Sequence, residues 1–253
     1  MSAPWEATQP VDEARAAALV GAQFPSLRGA PVRAVASGWD NSVLLVDDVL
    51  FRFPRREIAL AGMQRELAEA GDVPREAAAE AAGGFLRSLH DLRVDVELPV
   101  DPMGRGTPGL RRELTRKWLG ALASRGLWSG SAEVDALLDS PLVPVGGAEV
   151  LAHGDLHLRH LLVDGSGRAT GVMDWGDVCL ADPSVDLSLL YAAFDGPARE
   201  LGLAAYGPVS GEREVRARAL AVGLAAALAD WAASTGATDL LPEYLRGIDR
   251  AAR

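Results

Sequence analysis

The spacing of apolar and polar residues divides the chain into a strand-rich N-terminal segment and a longer helical segment. Alternation with a period of two predicts three short strands close together, at 32–37, 42–46 and 49–53. A period near 3.6 predicts helices at 11–24, 56–70, 74–92, 107–125, 131–138, 183–194, 212–233 and 241–252. Strands grouped together before a run of helices are typical of α+β proteins.

This pattern predicts a two-lobed architecture. Residues 1–72 would form a small N-terminal lobe with an antiparallel sheet, and residues 73–253 a mostly helical lobe. Residues 94–108 are rich in Pro, Gly and Asp, and we expect them to form a loop.

The helical lobe is interrupted by one predicted hairpin. Two short apolar runs, 161–163 and 171–173, flank a Gly-Ser-Gly turn. Such a hairpin would hold Asp155 and Asp174 side by side at its open end. Two adjacent carboxylates suit a magnesium ion and a phosphate group better than they suit a protein core.

Composition narrows the classes of protein that this chain can belong to. The 253 residues are 49% apolar, so a sizeable core can form, and the net charge is −10. That charge argues against nucleic acid as a partner, since phosphate binding needs a basic surface. It is compatible with a cationic ligand, although solubility is the commoner reason for an acidic composition.

The same features predict a cytoplasmic protein. Cys179 is the sole cysteine, which excludes an internal disulfide and favours a reducing compartment. The N-terminus lacks the pattern of a signal peptide, and we expect no membrane span because no uncharged apolar run is long enough.

The segment 153–187 carries a pattern that suits phosphoryl transfer. That reaction needs one carboxylate to orient the attacking hydroxyl and further groups to hold a metal ion against the nucleotide phosphates. The segment reads HGDLHLRH, then LLV, a turn, GVMDW and finally ADPSVDL. It resembles the aminoglycoside phosphotransferase family, a phosphotransferase enzyme family with a protein-kinase-like fold.

The resemblance implies a role for each of the central residues. Asp155 would orient the acceptor hydroxyl, and Asp174 would hold the metal ion. His160 stands where the family has asparagine, so it becomes the second metal ligand. Magnesium prefers oxygen ligands, and His160 would therefore tolerate manganese better or act through water. ATP or GTP would be the phosphate donor.

The flanking residues would support the site or touch the substrate. His153 would brace the loop, and His157 would position it or contact the substrate. Asp177 faces either the metal ion or the substrate in this interpretation. Asp182 and Asp186 would cap the following helix and orient the catalytic loop. His90 is expected to be a packed helix residue.

The N-terminal lobe contains candidate nucleotide-binding residues. Ser37 and Gly38 lie between two predicted strands, where kinase-like folds place the loop over the ATP phosphates. Arg52 occupies the place of the phosphate-binding lysine. An arginine there would still bind phosphate, because its guanidinium group is permanently charged and has forked N–H donors. Glu66 on the next helix would pair with Arg52.

The chain departs from the family between Glu66 and the helix that contains His90. The family has further strands there and a hinge that hydrogen-bonds the adenine, whereas residues 68–84 are Ala- and Glu-rich and predict a helix. The N-terminal lobe is therefore expected to be shortened and to lack that hinge.

Three functions follow from these observations. The first is an ATP- or GTP-dependent kinase for a small hydroxylated molecule. A cationic aminoglycoside would fit the acidic charge of the chain, and its phosphorylation would give antibiotic resistance. The second is a catalytically impaired, kinase-like binding protein that has lost the hinge. The third is a metal hydrolase that binds zinc through His153, His157, His160 and an aspartate. The sequence identifies neither the acceptor nor the oligomeric state.

Overall fold

The chain forms two compact units, Met1–Ala68 and Glu69–Arg253. A computed structural model describes residues 11–37, 41–47, 49–54, 74–95, 97–141, 149–163, 167–237 and 239–253. The predicted helix at 56–70 lies outside the described residues, as does the predicted turn at 38–40.

The first unit contains a helix and a three-stranded antiparallel sheet. The helix α1 spans Glu13–Gln23, and the strands are β1 (Val32–Ser37), β2 (Asn41–Val46) and β3 (Val49–Pro54), in the order β1-β2-β3. Asp12 caps α1 by accepting a hydrogen bond from the backbone N–H of Arg15 (2.8 Å). Glu13 accepts one from the backbone N–H of Ala34 (2.9 Å), which ties the helix to β1. The three predicted strands are confirmed.

The second unit is mostly helical. Its helices are α2 (Glu76–Asp91), α3 (Pro108–Ser124), α4 (Ala132–Asp139), α5 (Ser184–Ala193), α6 (Gly196–Tyr206), α7 (Gly211–Thr235) and α8 (Leu241–Ala252). All but α6 were predicted. Two glycines and a proline within α6 weaken its local helical signal, and the helix gains its stability from packing against α2.

Two small antiparallel pairs of strands lie between the helices. The predicted hairpin is confirmed as β5 (Leu161–Val163) paired with β6 (Ala169–Val172). The second pair joins β4 (Val150–Ala152) to β7 (Cys179–Ala181) and was not predicted. Its three-residue strands are too short to show a period, and unlike those of the hairpin they are not joined by a turn that would reveal the pair.

The core of the second unit surrounds α5. Nearly every residue of this helix is buried, polar ones included, as expected for a helix that is packed on all sides. The long helix α7 packs against α3, α5 and α8. Among the described residues, α7 is the one helix long and apolar enough to cross a membrane, and half of its apolar stretch is buried in this core.

Two adjacent glycines in α2 give a matched test of the packing between α2 and α6. A Cβ at Gly83 would lie 2.0 Å from the backbone oxygen of Gly202, whereas a Cβ at Gly84 would meet no atom within 4 Å. We expect Gly83→Ala to lower the free energy of unfolding by about 2 kcal/mol or more, because two backbones must separate. Gly84→Ala should raise it by about 0.5–1 kcal/mol, since alanine favours the helix. Urea unfolding of the two variants measures both effects, and equal effects would contradict this packing.

Candidate active site

The loop that begins at His153 is held by a buried carboxylate. Asp186, in the first turn of α5, is fully buried and accepts hydrogen bonds from the backbone N–H groups of His153 (2.7 Å) and Gly154 (3.0 Å). His90 Nε2 lies 3.3 Å from the same carboxylate, and its Nδ1 lies 2.9 Å from the Tyr206 hydroxyl. Asp186 therefore positions the loop and does not cap its own helix.

Gly154 lets this loop pass close to the segment after the hairpin. Its φ is +87°, and a Cβ there would lie 2.2 Å from the backbone oxygen of Asp177. Both the left-handed conformation and the lack of space require glycine. The approach places Asp155 beside the segment that contains Asp174 and Asp177.

His153 is fixed by hydrogen bonds at both ring nitrogens. Nε2 donates to the backbone oxygen of Met173 (2.9 Å), and Nδ1 accepts from the backbone N–H of Asp155 (3.3 Å). The ring also packs against Trp175, with centroids 4.8 Å apart. Because neither nitrogen has a free lone pair, His153 braces the loop and cannot ligate a metal ion in this arrangement.

His160 turns one ring nitrogen toward Asp174 and the other toward the backbone of Asp155. Its Nδ1 must donate to the backbone oxygen of Asp155 (2.8 Å), since a carbonyl can only accept. Nε2 lies 3.4 Å from Oδ2 of Asp174, and in the neutral form of the ring it is the nitrogen that carries the lone pair. Asp174 is held there because the backbone N–H of Met173 donates to the His160 oxygen (2.9 Å).

This pair fits a divalent cation. Two facing acceptors repel each other unless a proton or a metal ion lies between them. Asp174 is mostly exposed and adopts a left-handed conformation with φ of +63°, which aspartate tolerates better than most residues. His160 Nε2 and the Asp174 carboxylate are therefore the residues that would hold the ion.

Asp155 faces an arginine that the sequence did not single out. Arg105 Nη2 lies 3.3 Å from the Asp155 carboxylate and 2.8 Å from that of Asp177. The loop around Arg105 is shaped by Asp101, whose carboxylate accepts from the backbone N–H groups of Arg105 (2.7 Å) and Gly106 (2.8 Å). Asp177 thus pairs with Arg105, and Asp155 stays partly exposed.

His157 is a buried histidine that packs against His160. Its ring centroid is 3.7 Å from that of His160, and burial together with the neighbouring His160 lowers the pKa of His157 to about 3. The ring is therefore neutral at physiological pH. Asp155, His157 and His160 offer ligand atoms within 4.8 Å of one another, which is a second possible metal site.

Asp182 supports the start of α5. It accepts a hydrogen bond from the backbone N–H of Ser184 (2.9 Å) and forms an ion pair with Arg213 (3.2 Å). Burial acts to raise the pKa of Asp182, but the hydrogen bonds from Ser184 and Arg213 outweigh it and keep that pKa below its usual value. The hydrogen bond from Ser184 agrees with a capping role, and the ion pair with Arg213 ties α5 to α7.

A pocket opens beside Asp155 between α3 and α7. Besides Asp155, its polar lining comes from Arg105, Arg111, Thr115 and Ser188, and its remaining wall is largely apolar. It is the place from which a small molecule could offer a hydroxyl to Asp155.

The predicted nucleotide-binding residues belong to the first unit. Ser37 ends β1, and Arg52 lies in β3 opposite Val43. Gly38 and Glu66 lie outside the described residues. A role for these four residues in nucleotide binding stays a prediction.

Sequence reasoning missed three residues of the site. His90 is the buried helix residue that was expected, but its contact with Asp186 was not foreseen, and Asp101 and Arg105 lie in a segment predicted only as a loop. The sole local signal was the Asp-Pro-Met-Gly-Arg-Gly composition, which is typical of a tight turn. Their partners are far away along the chain, so periodicity could not reveal them.

Comparison with known proteins identifies the family. The model of the phosphotransferase enzyme family matches residues 59–220, more than half of the chain. An uncharacterized protein of Bacillus subtilis strain 168, YcbJ, is 46% identical over 48 residues, which are 19% of this chain and 16% of that protein. The chain thus matches only a small part of this curated relative's length.

Solved structures of phosphotransferases are similar at low identity. The GDP complex of aminoglycoside 2'-phosphotransferase-IIIa is 15% identical, with 96% of this chain and 99% of that chain covered and a TM-score of 0.47. Macrolide 2'-phosphotransferase MphH from Brachybacterium faecium is 20% identical, with 95% and 98% covered and a TM-score of 0.42. On the family match over residues 59–220, this chain belongs to the phosphotransferase enzyme family.

Proposed function

We propose that this protein transfers the γ-phosphoryl group of ATP or GTP to a hydroxyl group of a small molecule. One observation carries the proposal: Asp155 lines a pocket and lies next to the His160–Asp174 pair, whose ring nitrogen and carboxylate face each other and could share a cation. A hydroxyl acceptor and a metal-bound nucleotide need this juxtaposition of groups.

The chain's own residues have defined tasks in this reaction. Asp155 accepts the proton of the acceptor hydroxyl as the hydroxyl oxygen forms a bond to the γ-phosphorus. The bond from that phosphorus to the bridging oxygen breaks, and the nucleoside diphosphate leaves with the electron pair. A magnesium or manganese ion held by His160 and Asp174 would neutralise charge on the phosphates. Asp186 and His153 keep the loop in place.

Nucleotide binding tests this proposal against a catalytically impaired binding protein. We expect ATP or GTP, with magnesium or manganese, to raise the melting temperature, because a ligand that binds only the folded state stabilises it. We infer that the four residues predicted for this task, Ser37, Gly38, Arg52 and Glu66, contact the nucleotide. No stabilisation by either nucleotide with either metal would favour the impaired protein.

Zinc-dependent hydrolysis is the second candidate function. It is favoured by the ligand atoms of Asp155, His157 and His160 within 4.8 Å of one another. His153 does not join this set, because both of its nitrogens are bonded. Such a site would retain zinc at stoichiometric occupancy, so metal analysis of the purified protein decides between the two functions.

The unusual ligand His160 gives a prediction about metal preference. His160→Asn restores the residue type of the family pattern and replaces a nitrogen ligand by an oxygen ligand. We expect the ratio of the nucleotide's apparent affinities in magnesium and in manganese to shift about tenfold toward magnesium. Isothermal titration in each metal measures it.

His157→Asn is the matched comparison for this prediction. His157 is a buried neighbour of His160 but lies outside the proposed pair. Its variant should leave the metal preference within about twofold of the parent, as expected for a residue that does not ligate the ion. A larger shift in His157→Asn than in His160→Asn would show that His160 is not the ligand of the ion.

The surroundings of the reaction are also part of the proposal. A cytoplasmic location would supply ATP or GTP and magnesium, and the reducing compartment suits a chain with one buried, free cysteine, Cys179. The net charge of −10 disfavours nucleic acid as a partner.

A further inference from the structure

The pocket beside Asp155 has an apolar wall with one aromatic ring. Its apolar lining includes Trp118, Leu156, Val185, Leu220, Leu224 and Ala227. Helices α3 and α7 approach closely behind it, because a Cβ at Gly223 would lie 2.5 Å from the Thr115 hydroxyl. The body of a ligand here would therefore bury apolar or aromatic surface.

The charges that line the pocket are mainly positive. Arg105 and Arg111 both line it, and Asp155 is the single carboxylate among the described lining residues. Arg105 is compensated, because it pairs with both Asp155 and Asp177. A polycationic acceptor would be repelled by the guanidinium of Arg111. The carboxylate of Asp155 would attract it only weakly, because that carboxylate already pairs with Arg105.

Arg111 keeps charge and donors available for a ligand. Its guanidinium donates to the backbone oxygens of Gly104 (3.0 Å) and Met103 (2.7 Å), which uses two of its five N–H donors. None of the ion pairs found among the described residues involves Arg111. Burial and the neighbouring Arg105 lower the pKa of Arg111, and the nearby carboxylates of Asp101 and Asp155 offset this only in part.

An oxyanion would relieve this imbalance. It would neutralise the charge of Arg111 and accept its free donors in the forked geometry that suits carboxylates and phosphates. Resting on the proposed phosphotransferase function, we propose that the acceptor combines a hydroxyl group with an apolar or aromatic body and an oxyanion, a carboxylate or a phosphate, that Arg111 binds. This acceptor class differs from the cationic one that the acidic composition suggested.

Binding of simple probes tests this proposal without nucleotide or turnover. The protein is labelled with 5-fluorotryptophan, and Trp118→Phe identifies the fluorine resonance of Trp118 among the six tryptophans. We expect phenylacetate and phenyl phosphate to shift this resonance saturably. The neutral phenylacetamide should bind at least about tenfold more weakly, because it lacks the charge-assisted hydrogen bonds, and kanamycin should cause no shift. Comparing phenylacetate with phenyl phosphate decides which oxyanion is preferred.

Variants assign the effect to Arg111. Arg111→Gln should weaken phenylacetate binding about tenfold or more and leave phenylacetamide unchanged. Arg111→Lys keeps the charge and should retain a preference for the anion, which guards against a folding defect in Arg111→Gln. Arg116→Gln, on the same helix but paired with the exposed Asp139, should bind as the parent does.

Three results would overturn the proposal. They are equal binding of phenylacetate and phenylacetamide, a Trp118 shift with kanamycin but with neither anion, and no shift with any probe. Failure of phosphoryl transfer in the parent protein would instead refute the proposed function and leave a measured anion preference standing, so the two failures are distinguishable.

Discussion

Asp155→Asn is expected to lower the rate of phosphoryl transfer by about 10²–10⁴-fold while the nucleotide still binds. The amide has nearly the same shape as the carboxylate but cannot accept the proton of the acceptor hydroxyl. Oδ1 of Asp155 also faces Arg105 at 3.3 Å, so the substitution removes one ion pair from a partly exposed position. Initial rates of nucleoside diphosphate release give the transfer rate, and titration calorimetry gives the nucleotide affinity.

A surface aspartate supplies the control. Asp91→Asn removes an exposed ion pair with Arg87 at the end of α2. Such pairs contribute about 0–1 kcal/mol, so both rate and affinity should stay close to those of the parent. A rate in Asp155→Asn within about tenfold of the parent would exclude Asp155 as the group that accepts the proton.

The second large effect is on stability. Asp186→Asn should lower the free energy of unfolding by about 3 kcal/mol, because a fully buried carboxylate receives two backbone N–H donors and faces His90. An amide oxygen can accept only one of the two backbone hydrogen bonds, and its NH₂ group would face the other donor. The melting temperature should fall by roughly 6–12 °C.

Asp139→Asn is the comparison for this stability effect. Asp139 pairs with Arg116 at the surface and is 70% exposed, so its loss should change the melting temperature little. Asp186→Asn should also slow transfer, because the loop that carries Asp155 loses its anchor. A melting temperature within about 2 °C of the parent, a shift that corresponds to less than about 1 kcal/mol, would show that Asp186 does not hold the loop.

Much of the fold could be predicted from local pattern. The strands 32–37, 42–46 and 49–53 and the helix at 241–252 follow from periodicity alone, because each has enough residues to show it. The strands Val150–Ala152 and Cys179–Ala181 could not be predicted in this way. They form because the chain returns to the same place after the hairpin, and no turn signal joins two strands that lie so far apart in the sequence.

The same distinction holds for the site. The residues between His153 and Asp186 lie in one continuous motif, so their roles could be predicted from the family resemblance. Arg105 and His90 reach the motif from other elements, and the contacts that matter are with Asp155 and Asp186. Contacts between residues so far apart in the sequence depend on the tertiary fold. For the same reason, the acidic composition of the whole chain said little about the charge of one pocket.

Transfer of a phosphoryl group to a hydroxyl compound tests the central claim most directly. The protein is incubated with ATP or GTP, magnesium or manganese, and a mixture of hydroxylated compounds that includes hydroxy acids, aryl alcohols and aminoglycosides. Mass spectrometry then detects any compound that gains one phosphoryl group. We predict at least one such product in the parent protein and none in Asp155→Asn. Products formed equally by both proteins, or none in the parent while nucleotide is bound, would contradict the assignment of a phosphotransferase site at Asp155.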